Sequence, residues 1–241
     1  MNESSQPAGA LEIGERGYVH SRFGTVIGPE FIQGADWKLF ADSWNSLSRD
    51  GYMSDGGTYR ERRYSEFSHD AAQGRTALLP HVPYSQTKEI NYLNGGIERH
   101  FDPFERHVAE SPVLNTIFQW CADILARTTG TAHWKVQSFQ NRILARSTEA
   151  GQPTPEGIHR DGVDFVLTLL VGRESIDGGT SALYDARTRE CRAEVLLTEP
   201  GEFLFADDEK MVHGVTPLTP ARPGGQGHRD VLIAMFTRAD G

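Results

Sequence analysis

Cysteine is scarce in this chain of 241 residues: Cys121 and Cys191 stand alone and far apart. Two thiols so placed make no disulfide framework, and Cys121 falls on the apolar side of a predicted helix, where a thiol serves as a small hydrophobe. Long apolar runs are also missing. No window approaches the roughly 18 continuous apolar residues that a bilayer-spanning helix needs. The opening stretch, MNESSQPAGALEIGER, lacks a basic segment followed by an apolar one, so no signal peptide is read there. Positive charge is in deficit, with 24 Lys and Arg against 33 Asp and Glu and a formal charge of −9. A surface of that sign repels phosphate backbones and anionic bilayers, which counts against nucleic acid and membrane as partners. Internal repeats and low-complexity tracts are absent too. A soluble, reduced, cytoplasmic protein is the expectation, and a homodimer is carried only as the commonest assembly of soluble enzymes.

What is present is material for a core: 38% hydrophobic and 10% aromatic residues, enough for one domain. Trp37, Phe40, Trp44 and Leu47 recur at helical steps within GADWKLFADSWNSLSRDG, a predicted helix that Gly51 can close. Ser111-Pro112, a cap residue followed by proline, opens a second helix whose apolar stripe runs from Val113 to Leu125. Between them, DGGTYRERRYSEF and QTKEINYLNGGIERHFDPF read as loop and short strand.

After Gly130 seven short apolar or alternating runs follow, separated by turn clusters such as Asp177-Gly178-Gly179 and Pro223-Gly224-Gly225. Strands of that spacing behind upstream helices predict a mostly β fold with N-terminal helices, a double-stranded β-helix or cupin-like jelly-roll. The predicted layout is a single domain over 1–241, with a loose tail over 1–10, a helical and loop layer over 11–130 and the jelly-roll core over 131–238.

Three His-x-Asp triplets occur, and context separates them. The motif suits a mononuclear non-haem iron site, which takes two histidines and one carboxylate on one face of the metal and leaves positions open. Residues i and i+2 of extended chain point the same way. His228-Arg229-Asp230 has too little chain after it to build another pair of strands, and His100-Phe101-Asp102 runs into Pro103 and helix-like sequence. His159-Arg160-Asp161 precedes a strand. Val163, Phe165, Leu167, Leu169 and Val171 share its parity, so extended chain throughout would put both ligands on the face of that apolar column. His213 stands downstream, past PGEFLFADDEKMV, as the second histidine. Arg229 follows at the entry to the last strand, in phase with Val231, Ile233 and Met235. A buried arginine without a partner is costly, so an anion is expected there, such as a dicarboxylate gripped by the guanidinium fork.

The order His159-x-Asp161, His213, Arg229 resembles the Fe(II)/2-oxoglutarate-dependent dioxygenases. The segments RERRYSEF, NYLNGG, PTPEGIHRDG, GGTSALYD, PGEFLFADD and VHGVTPL are similar to the branch of free amino-acid hydroxylases that includes bacterial L-isoleucine 4-hydroxylase. The likeness runs from about Tyr59 to Arg238. It implies Fe(II) on His159, Asp161 and His213, and 2-oxoglutarate chelating the metal with its C5 carboxylate on Arg229. With dioxygen, an aliphatic C–H bond of a free L-amino acid (isoleucine- or leucine-like) would be hydroxylated, releasing succinate and carbon dioxide. A carboxylate at 161 fills the position that halogenases of this superfamily leave open for halide, so hydroxylation is implied.

The chain departs from the superfamily at Arg229-Asp230-Val231, where many members carry Arg-x-Ser. Thr216 is the candidate second donor to that carboxylate. For the substrate, Arg142 is the candidate carboxylate contact and Glu156 the amine contact, with Arg62 or Arg63 as substitutes and Tyr92 and Tyr59 as pocket walls. His228, Asp207 and Asp208 are set aside, the two aspartates as a hairpin tip. Two other readings stay open: the same chemistry on an acylated or non-amino-acid intermediate or a sulfur centre, and a non-catalytic barrel that binds a ligand or zinc. A structural zinc site would want a fourth protein ligand, which the sequence does not offer.

Overall fold

The computed structural model describes residues 8–90 and 95–239. Among the described residues there are six α-helices: α1 (Ala8–Arg16), α2 (Phe23–Val26), α3 (Pro29–Gln33), α4 (Ala35–Asp42), α5 (Arg106–Ala109) and α6 (Pro112–Thr129). The strands are β1 (Tyr18–Arg22), β2 (Ser48–Arg49), β3 (Arg60–Asp70), β4 (Arg75–Leu78), β5 (His133–Arg146), β6 (Phe165–Glu174), β7 (Ile176–Gly178), β8 (Thr180–Asp185), β9 (Cys191–Leu196), β10 (Glu202–Asp207), β11 (Met211–Val215), β12 (Leu218–Pro220) and β13 (Gln226–Arg238). Eight strands form the main sheet in the order β1-β10-β6-β13-β5-β3-β2, with β4 added to β3. The minor sheet is β11-β8-β9, and β12 pairs with β7. All these pairings are antiparallel. The result is a jelly-roll core with helices stacked on the outer face of its larger sheet.

Helix α6 begins and ends as its sequence demands. Ser111 Oγ accepts from the Leu114 N–H at 3.1 Å, Pro112 occupies the first turn, and Gly130 closes the helix in the left-handed region at φ 76°. Its stripe Val113, Leu114, Ile117, Phe118, Cys121 and Leu125 is fully or almost fully buried. Leu169, Phe205, Leu232 and Phe236 of the main sheet share that core layer. The alternate residues of the same strands, Val166, Leu170, Leu204, Val231 and Met235, face the minor sheet and form a second apolar layer with Leu183. A sheet covered on both faces explains why β6 reads as an unbroken apolar run.

Several expectations need correction. Helix covers residues 8–10, which were expected to be tail; residues 1–7 lie outside the described chain. The helix predicted to Gly51 ends sooner: a 3₁₀ turn, Ser43–Ser46, follows α4, and Leu47 is already extended. The segment 11–130 is not a separate layer, because β1, β2, β3 and β4 belong to the main sheet. RERRYSEFSHD forms one strand along its whole length. The parity expected after His159 also fails. Gly162 adopts φ 80° between the motif and β6, which breaks the extended phase. Phe165, Leu167, Leu169 and Val171 therefore face the helices, whereas Val166 and Thr168 line the cavity with His159 and Asp161. Among the described residues no helix is long and apolar enough to cross a membrane.

Candidate active site

His159 and His213 are brought together by backbone pairing. Each accepts from the other's N–H, at 2.9 and 2.7 Å, so the motif adds a short bridge to the free edge of β11. Directly paired residues project their side chains to one side of a sheet, and the two imidazole centroids lie 4.5 Å apart. His159 Nδ1 lies 3.0 Å from the Gly157 carbonyl. A proton on Nδ1 donated there leaves Nε2 free to act as a ligand. Asp161 completes the set, with Oδ1 3.7 Å from His159 Nε2 and Oδ2 3.6 Å from His213 Nε2. Ligand-capable atoms of the three residues all lie within 4.8 Å of one another. Two imidazoles and one carboxylate converging from one side suit a facially bound first-row metal with open positions.

The loop carrying Asp161 is held by a residue that the sequence reading dismissed. Asp208 is no exposed hairpin tip: at 1% exposure, its carboxylate accepts N–H bonds from Asp161, Gly162 and Val163 at 3.0, 2.8 and 3.1 Å. Burial raises its pKa, and the nearby Asp161 raises it further. Asp207 instead caps the turn, accepting from the N–H groups of Glu209 and Lys210. Gln86 adds one more tie to the ligand loop, donating Nε2 to the Asp161 carbonyl at 3.3 Å.

The three residues open onto a cavity of about 100 Å³ between the two sheets. Arg229 enters it from β13 in the predicted phase, beside Val231, Ile233 and Met235. Its side chain is 1% exposed, and Nε and Nη2 have no hydrogen-bond partner among the described residues. Burial, reinforced by the neighbouring Arg173, presses its pKa down to about 10, still cationic at neutral pH. Gly179, at φ 79°, packs closely on Leu218, where a Cβ would lie 2.7 Å from Cδ2; its distance to Arg229 Cδ, 3.5 Å, would be an ordinary contact.

The remaining candidates divide. Glu156 lines the cavity, with Oε1 3.3 Å from His159 Nε2, and Arg62 lines the opposite wall. Arg142 does not reach the site. Asn141 and Ile143 face the cavity, so alternation turns Arg142 to the other face, where Asp230 grips it with two contacts of 2.7 Å. Arg63 is likewise turned away, donating to the carbonyls of Pro103 and Ser46 at 2.9 Å each. Thr216 does not line the cavity that Arg229 enters; its hydroxyl accepts from the Thr180 N–H at 2.9 Å, and it lines a separate surface groove. Tyr59 is buried in a small cluster with Ile143 and Leu218, its hydroxyl donating to Asp55. Tyr92 lies outside the described residues. His228 is partly buried, 3.4 Å from Asp230 Oδ2.

Sequence reasoning missed Tyr84, Gln86, Arg99, Asn141 and Thr168. Arg60, Arg62 and Tyr64 have a period-two signal that a single long β3 would have revealed. Arg99 had none, since it arrives through a nonlocal bridge to Tyr84.

Comparisons with known proteins agree with this geometry. The sequence profile of the 2OG-Fe dioxygenase family matches residues 41–235. The L-isoleucine-4-hydroxylase of Bacillus thuringiensis is 26% identical over 195 residues, 80% of this chain and 79% of that protein. The crystal structure of a BsmA homologue from Methylobium petroleophilum, 27% identical, superposes with a TM-score of 0.85 over 98% of this chain and 95% of its own. The structure of IDO from Bacillus thuringiensis gives a TM-score of 0.77 at 19% identity, covering 100% and 98% of the two chains. The chain belongs to the 2OG-Fe dioxygenases, enzymes that use Fe(II), 2-oxoglutarate and dioxygen.

Proposed function

We propose that His159, Asp161 and His213 hold Fe(II), that Arg229 pairs with the C5 carboxylate of 2-oxoglutarate, and that the enzyme hydroxylates an aliphatic C–H bond of a free L-amino acid of the isoleucine or leucine type. The observation that carries this reading is one cavity holding both a facial set of ligand atoms and a buried arginine with two unpartnered nitrogens. A cation in that state calls for an oxyanion, and a carboxylate fits its fork. The bound metal would supply oxidative decarboxylation of 2-oxoglutarate to succinate and the oxidising power for the C–H bond.

The chain's own residues supply position. Gly157 sets the tautomer of His159, and Asp208 fixes the backbone of the ligand loop. Arg229 orients the co-substrate along the main sheet. Phe139, Val166, Val231, Ile233 and Met235 give the cavity a dry wall suited to an aliphatic side chain. Glu156, 3.3 Å from His159, adds negative charge to that end of the cavity. The relatedness to an isoleucine 4-hydroxylase supports the amino-acid class.

The test is succinate release over a panel of free amino acids, N-acylated amino acids and short peptides, with the product's site of oxygenation determined. Free aliphatic amino acids are expected to respond. A response confined to acylated compounds or to sulfur centres would overturn the substrate assignment. Arg229→Leu is expected to raise the KM for 2-oxoglutarate by about 100-fold, the loss of a charge-assisted contact, without lowering thermal stability, because it removes a buried charge. An unchanged KM would refute the assigned role.

A further inference from the structure

The cavity has a second cationic wall. Arg60 and Arg62 project into it from β3, and Arg99 from the segment bridged to Tyr84. β3 lies two strands from β13, so this wall stands about 10 Å across the sheet from the strand of Arg229. One buried carboxylate serves it: Asp50 Oδ2 lies 2.8 Å from Arg60 Nε and 3.2 Å from Arg62 Nε, and only the first is a hydrogen bond. Glu156 acts on Arg62 and Arg99 electrostatically.

Arg62 and Arg99 each keep a buried Nε with no hydrogen-bond partner among the described residues. Both guanidinium planes are nonetheless fixed. Arg62 lies over the rings of Phe139 and Phe101 at 4.9 and 5.2 Å, and Arg99 over Tyr84 at 4.7 Å. Arg99 Nη2 also donates to Gln86 Oε1 at 2.9 Å. Asn141 is the register partner of Arg62 on β5, and its buried Oδ1 likewise lacks a donor. Two immobilised cationic forks next to a neutral acceptor match a carboxylate and an ammonium on one carbon.

We propose that Arg62, Arg99 and Asn141 form the head-group subsite of the substrate, with the α-carboxylate on the two guanidinium groups and the ammonium on the Asn141 amide oxygen. This deepens the amino-acid reading of the site and rests on it. The head group then sits on β3 and β5, and the aliphatic part lies along Phe139 and Ile233 towards the metal ligands.

The test uses the full chain loaded anaerobically with Fe(II) and 2-oxoglutarate. L-isoleucine, L-isoleucinamide and the corresponding 2-hydroxy acid are titrated by calorimetry, and 2-oxoglutarate affinity is read separately from its metal charge-transfer band. Wild type is expected to bind the amino acid at least about 10-fold more tightly than the amide, the usual cost of a lost charged hydrogen bond. Arg99→Gln is expected to erase that difference while 2-oxoglutarate affinity stays within about twofold. Asn141→Val is expected to weaken L-isoleucine more than the hydroxy acid, whose hydroxyl makes only an uncharged hydrogen bond. Acid and amide binding alike to wild type would overturn the subsite without any variant, whatever Arg62→Gln does to folding. So would discrimination that survives Arg99→Gln, or a loss of 2-oxoglutarate binding in that variant. If the hydroxy acid binds through Arg99 but no amino acid yields succinate, the amino-acid reading fails and the carboxylate site stands. If no carboxylate binds wild type, the subsite itself fails.

Discussion

At the end of the cavity that carries His159, Asp161 and His213, the carboxylates favour a protonated imidazole. Burial disfavours an imidazolium at His159, but Asp161 and Glu156 outweigh it and lift the pKa to about 9. At His213 burial prevails over the pull of Asp161 and the pKa falls; Asp161 itself is held low despite burial by the two histidines. A group with a raised pKa keeps its proton at neutral pH, and a metal ion must displace it. Metal affinity is therefore expected to rise by about one log unit per pH unit up to pH about 9 and to flatten above it. Calorimetry at pH 7 in two buffers of different ionisation enthalpy should show about one proton released per ion; zero release would refute the assignment. Asp208→Asn tests the loop clamp. It relieves repulsion with Asp161, yet leaves one amide oxygen for the three N–H groups that the carboxylate accepts. The loss of an acceptor oxygen dominates, and metal affinity should fall by about 10- to 100-fold in a Co(II) titration. An unchanged titration would show that the loop holds its shape without the clamp.

Two elements separate stability from the site. Ser111→Ala deletes the N-cap of α6 and should cost about 1 kcal/mol in denaturant unfolding with metal affinity unchanged, since α6 packs on the far face of the main sheet. Gly162→Ala acts where the chain leaves the ligand motif. Its φ of 80° is strained for any L side chain, which presses on the Asp161 backbone, and a Cβ would also push the Ile90 side chain, 2.7 Å away at Cδ1. That variant should lose metal affinity out of proportion to its stability; equal losses in the two would place the effect in folding alone. The same contrast explains what was legible in the sequence. The cap of α6, the strands after Gly130 and the inward phase of Arg229 each follow from local pattern, and the structure keeps them. The phase of the metal ligands relative to β6 was not local, because one left-handed glycine resets it. Arg142 failed for want of register: Asp230 faces outward once Arg229 faces inward, and Arg142 is its partner across β5. Asp208 and Arg99 act through contacts that no spacing reveals.

Across the whole molecule, an apolar layer joins the two sheets, and the cavity between them is lined in part by groups that ask for a ligand. The cavity sets Arg60, Arg62, Arg99 and Arg229 against Glu156 and Asp161 on its lining, with Asp50 behind Arg60 and Arg62, and excess buried charge of one sign weakens a fold until a counter-ion arrives. Ligands that bind only the folded state add RT ln(1 + [L]/Kd), about 2.7 kcal/mol at a hundredfold excess over Kd. For a chain of this size that corresponds to a rise of roughly 5–10 °C in the thermal midpoint for each such ligand. Mn(II) under anaerobic conditions should give one increment and 2-oxoglutarate a further one. His213→Ala should abolish both, since co-substrate chelation depends on the metal. Arg229→Leu should keep the metal increment and lose most of the second. Scanning calorimetry of the three proteins checks this order: a full 2-oxoglutarate increment in Arg229→Leu would mean that the dicarboxylate is held by the β3 wall instead, and the roles assigned to the two ends of the cavity would have to be exchanged.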